Sequence, residues 1–157
     1  MKKVLAFGFI IMLALSSESS AVDRDKAANK ILRMDYIMEK AAEDISANVS
    51  LWVELRDEVD AATGEGWIYS LSVKIPSQPL GVIEVLARTG YPADNLCMPR
   101  FIEPEDYVVE EWSRRSIAAL ESFVMHDEKR EGIRRDCLES IKDSADAKKV
   151  KGRAPGE

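Results

Sequence analysis

Two cysteines forty residues apart, Cys97 and Cys137, constrain this chain more than any other feature. Between them lie a long apolar-periodic stretch, Pro104 to about Val124, and the start of a second, Gly132 to Ile141. A straight helix from Pro104 to Cys137 would cover roughly 50 Å at about 1.5 Å per residue. The seven steps from Cys97 to Pro104 reach at most about 25 Å when fully extended. A disulfide spans only about 6 Å between α-carbons. A Cys97–Cys137 bridge and one straight helix are therefore incompatible, and a bridge predicts a helical pair folded back on itself. The break is expected between Met125 and Gly132, where the apolar pattern lapses into His126-Asp127-Glu128-Lys129-Arg130-Glu131.

A bridge requires an oxidising compartment, and the N-terminus supplies an address. Met1-Lys2-Lys3 precedes twelve uncharged residues, Val4 to Leu15, and then small residues ending at Ala21, with Ser19 and Ala21 at the −3 and −1 positions. This is the layout of a bacterial secretory signal peptide, residues 1–21, and it points to the periplasm, with secretion as the alternative. The apolar run is too short for an integral anchor, which takes roughly 20 apolar residues. Removing Lys2, Lys3 and Glu18 takes the formal charge from −6 to about −7. An acidic chain lacks the basic footprint that nucleic acid or an anionic membrane would demand. Residues 22–144 read as one globular domain. Residues 145–157, with Lys148, Lys149, Lys151 and Arg153 among small residues, read as a disordered basic tail.

The fold class expected is α+β, mainly helical. Ala27, Ile31, Met34, Met38, Ala41 and Ile45 recur three and four apart and predict an N-terminal helix. From Val49 to Ile75 the pattern favours a β-hairpin. Trp67, Tyr69, Leu71, Val73 and Ile75 alternate with Ile68, Ser70, Ser72 and Lys74. Val49, Leu51, Val53 and Leu55 alternate too, although Trp52, Leu55, Val59 and Ala62 also keep helical spacing. One register would pair Val59 with Trp67, Leu55 with Leu71, Val53 with Val73 and Leu51 with Ile75. Thr63-Gly64-Glu65-Gly66 would supply the turn. Ser77 to Arg88 predicts a short buried helix stopped by Gly90, and Ala93 to Ile102 an irregular segment. Glu103-Pro104 opens the long helix, whose Glu110–Arg114 and Glu111–Arg115 spacings suit surface ion pairs.

No catalytic, cofactor-binding or metal-ligating motif stands out. His126 is the single histidine, so zinc sites of the usual composition cannot be assembled within one chain. No Gly-x-Ser-x-Gly elbow and no phosphate-cradling glycine motif occurs. The expected role is a small envelope protein working by protein–protein interaction, as an inhibitor, an immunity-type neutraliser or an assembly accessory. The partner would be another envelope protein. A small periplasmic hydrolase acting on an envelope polymer and a carrier of an apolar ligand are the alternatives. The candidate partner surface is the hairpin's outer face, with Trp52, Ile68 and Lys74.

Overall fold

The computed structural model describes residues 32–59, 61–98 and 105–151, and these contain helices and no strand. The chain divides into two units, with the boundary between Tyr36 and Ile37. The expected signal peptide, residues 1–21, and residues 152–157 lie outside the described residues. Helix α1 is described over 32–41. It is followed by α2 (Val49–Glu58), α3 (Ala61–Ser72), α4 (Pro79–Thr89), α5 (Ala93–Leu96), α6 (Asp106–Glu121) and α7 (Glu128–Lys151).

The expected α+β class is overturned, because the hairpin region folds as α2 and α3. The reason lies in a coincidence of periods. Residues four apart fall on one face of both a strand and a helix. Trp67, Leu71 and Ile75 satisfy both readings, and all three are buried. Tyr69 and Val73, which only a strand would bury, are respectively exposed and half-buried. In α2 the buried residues are Val49, Trp52 and Leu55, three apart, while Leu51 and Val53 are half-buried. Gly64 and Gly66 therefore sit inside a helix and not in a hairpin turn.

Tryptophans tie the first helices together. Trp52 is fully buried, and its indole donates to the Ala41 carbonyl at 3.3 Å. Trp67 donates to the Trp52 carbonyl at 3.1 Å, with the two rings edge-on at 6.3 Å. Trp112 of α6 donates to the Ser72 carbonyl, the last of α3, at 3.2 Å. Each bond lets a large apolar body enter the core without stranding its N–H. Gln78 fixes the segment after α1. Its Oε1 accepts from the Ile45 amide at 2.7 Å, and its Nε2 donates to the Ala42 and Glu43 carbonyls. One turn further on, a Cβ at Gly81 would stand 2.9 Å from both Ile45 Cγ2 and the Ser46 nitrogen. Only glycine permits that approach. Helix α4 matches its expectation and ends on Gly90 at φ 66°.

Cys97, at the C-terminal end of α5, is bonded to Cys137 of α7 with α-carbons 5.0 Å apart. The chain turns within 122–127, and α7 packs on α4, α5 and α6. The break thus begins a few residues before the expected one. Its geometry rests on Glu131, which accepts the Met125 amide at 3.0 Å and pairs with Arg134 at 2.6 Å. Arg134 is buried and also donates to the Leu120 carbonyl near the end of α6. Lys129 donates to the Ala87 carbonyl near the end of α4. Arg130 reaches Glu84 of α4 at 2.6 Å, beside Arg88. Helix α7 runs on to Lys151, so the first seven residues of the expected tail, 145–151, are helical.

Gly64 lies within α3, has no positive φ, and would meet nothing within 4 Å if given a Cβ. Gly64→Ala is therefore expected to stabilise the protein by roughly 0.5–1 kcal/mol, seen as a higher midpoint in urea. A loss of stability would mean that this position is a turn.

Two carboxylates give a pH signature. The Arg130 guanidinium, aided by Arg88, holds the Glu84 carboxyl down at about 2. Arg134, with the Met125 amide, does the same for Glu131, also to about 2. Both groups bind protons more weakly folded than unfolded, where the ordinary value is 4.5. Their stabilisation is complete above about pH 4.5 and is lost as the pH falls towards 2. Thermal melts should show a flat Tm near neutrality and a decline over that acid window. Glu84→Gln with Glu131→Gln should lower the neutral Tm and make the acid decline shallower.

Candidate interaction groove

After α3 the chain makes a succession of tight turns. The Lys74, Ile75 and Ser77 amides donate to the Leu71, Ser72 and Lys74 carbonyls. Ile75 goes into the core while Val73, Lys74, Pro76 and Ser77 remain at least partly accessible. The first half of α6 lies alongside, held there by the Trp112–Ser72 bond. Between them is an open depression of about 490 Å³, lined on the α6 side by Tyr107, Val108, Glu111, Trp112 and Arg115. Those positions share one face of a helix. The volume falls among ligand pockets, which run roughly 300–1,000 Å³.

The groove has an apolar floor and charged walls. Val73, Pro76, Val108 and the nearly covered edge of Trp112 supply the floor. Tyr107, 66% exposed, stands at one side. Lys74 projects from the turn and Arg115 from α6. The helix pairs Glu111 with Arg114, through contacts of 2.7 to 3.0 Å, and not with Arg115 as its spacing had suggested. Glu111 thus has its own counter-charge, whereas Lys74 and Arg115 make no ion pair within the described residues. Lys74 does act on one carboxylate outside the groove, Glu43. The Glu43 carboxyl is lowered chiefly by its hydrogen bond from Lys40, with Lys74 a smaller contributor.

The residues expected to form a partner surface are dispersed. Trp52 is core, so the outer hairpin face does not exist. Ile68 is half-buried on α3, and Lys74 lines the groove. Tyr107, Val108 and Arg115 were missed. Their one sequence signal was that they fall off the apolar stripe of α6, as solvated residues do too.

A second depression, of about 500 Å³, is bordered by Pro92, Ala93 and Ser140, with Asp94, Asp136, Glu139 and Asp143 exposed around it. Among the described residues no group of three or more His, Cys, Asp or Glu side chains could hold a metal ion. His126 is exposed, and the neighbouring Asp127 carboxylate is engaged by Arg130 through its amide at 2.9 Å and its guanidinium at 3.2 Å. Ser113 and Ser116 bury hydroxyls that find no hydrogen-bond partner among the described residues, though neither lines either depression.

Comparison with protein-family models, with curated proteins and with solved structures yields no match. No described helix is long and apolar enough to cross a membrane.

Proposed function

We propose that the protein is an exported interaction module of the bacterial envelope, engaging another envelope protein through the groove between the 73–77 turn and α6. The observation that carries this reading is the groove itself, an accessible apolar floor with an exposed tyrosine and two cations beside it. A tyrosine presenting a large amphipathic face at small entropic cost is a frequent anchor at interfaces, and arginine is another. The buried Cys97–Cys137 bridge supports residence in an oxidising compartment. With the signal-like N-terminus, it makes the periplasm the place to look.

Trp112 ties the groove walls together, so the surface is held in shape before a partner arrives. Preorganisation of this kind lowers the ordering cost of association.

A photo-crosslinking amino acid placed at position 107 in cells, with Glu128 as the control position, tests this reading. Position 107 should give one discrete protein adduct in the periplasmic fraction, and position 128 should give none. The adduct should fade when Arg115→Glu is added. Absence of an adduct at 107, or the same adducts from both positions, would overturn the interaction reading.

A further inference from the structure

Resting on that reading, we infer that the groove takes an acidic, apolar segment from within a partner polypeptide: one or two hydrophobic side chains on the floor, and an Asp or Glu between Lys74 and Arg115. Three observations lead there. The floor is built from Val73, Pro76, Val108 and Trp112, which have nothing to offer a polar ligand except through the rim. Among the described residues the rim carries two cations without ion pairs, while its one carboxylate, Glu111, is already held on two nitrogens of Arg114. This positive rim stands on a chain of net charge −6, where a cation pair beside an apolar floor selects acidic partners against the general trend of the surface.

The shape chooses among carboxylate carriers. The depression is open and lies along one helix face, so a segment can pass through it. A chain terminus or the head of a fatty acid would be better served by a closed pit. Arg115 gives a fork of donors that matches a carboxylate in two-point fashion, and Lys74, in the same lining, adds a point charge.

The experiment uses the full mature protein with its bridge intact, immobilised and screened against displayed random dodecapeptides. Selected peptides are then synthesised and their affinities measured by fluorescence anisotropy. The inference expects enrichment of Asp or Glu next to aromatic or aliphatic residues. Exchanging that acid for its amide should weaken binding by about tenfold or more, equivalent to roughly 1.4 kcal/mol. Arg115→Glu and Lys74→Glu should each do the same, and affinity should fall with added salt. Both positions are accessible, and circular dichroism of each variant shows whether the fold is kept. The peptide-side exchange tests the claim on the unaltered protein.

Enrichment of basic or neutral peptides, or of none, would overturn the inference. So would a peptide that needs its free terminal carboxylate, or displacement by decanoate at matched concentration. Tighter peptide binding by Phe101→Ser with Ile102→Ser would show the chain's own Phe101-Ile102-Glu103 competing for the groove, and would overturn assignment to a partner. A discrete adduct at position 107 with no acidic selection leaves the interaction reading standing and removes only the acidic assignment. No adduct and no selected peptide removes both.

Discussion

The Cys97–Cys137 bridge is the constraint on which the rest of the structure depends. It joins a helix of a single turn, α5, to the longest described helix, α7, and both sulfur-bearing residues are buried. An isolated four-residue helix has no independent stability, since nucleating a helix costs more than one turn returns. The bridge and the buried side chains of Ala93 and Leu96 hold it instead. Because α7 also packs on α4 and α6, fixing α5 to it fixes where the chain leaves for α6. The groove is built at the start of α6, which also packs on α7 and is held against the 73–77 turn by the Trp112–Ser72 bond.

A second principle runs through the packing. The last carbonyls of a helix have no partner within it. Four helices here have such carbonyls met by a side chain from a later element: Ala41 by Trp52, Ser72 by Trp112, Ala87 by Lys129 and Leu120 by Arg134. Cations at helix C-termini also complement the macrodipole. These bonds are directional where apolar contact is not, so they set the rotation of each helix against its neighbour. This explains how Arg134 comes to be buried on a face otherwise made by Cys137 and Ile141. Its charge is met by Glu131 and one of its nitrogens by a carbonyl, which is what a buried guanidinium requires.

Parts of this arrangement were legible in the residues. The bridge followed from two cysteines behind an export-like N-terminus, the reversal followed from distances once a bridge was assumed, and α4 followed from its apolar run and from Gly90. The hairpin did not hold, because Trp67, Leu71 and Ile75 cannot distinguish a strand from a helix. Two residues could have, Tyr69 and Val73, and each is compatible with a strand on composition. The matched register across 51–75 was no independent evidence, since any two alternating runs can be aligned. Trp52 shows the cost of that error: set on a strand it faces outward, set on a helix with Val49 and Leu55 it is core. The groove was out of reach for a different reason. It joins residues more than thirty positions apart through the Trp112–Ser72 bond, and no local pattern encodes that bond.

What holds for the bridge decides the rest, since both the seating of α5 and the exit towards α6 depend on it. Closing a loop of forty residues should contribute about 4 kcal/mol in the chain-entropy view. The direct measurement is urea unfolding of the oxidised protein against Cys97→Ser with Cys137→Ser, followed by tryptophan fluorescence and by hydrogen exchange. The account predicts a midpoint lowered by a loss of that order, with amide protection lost first in α5 and the start of α6. Equal midpoints, or protection lost first at α2 and α3, would contradict it.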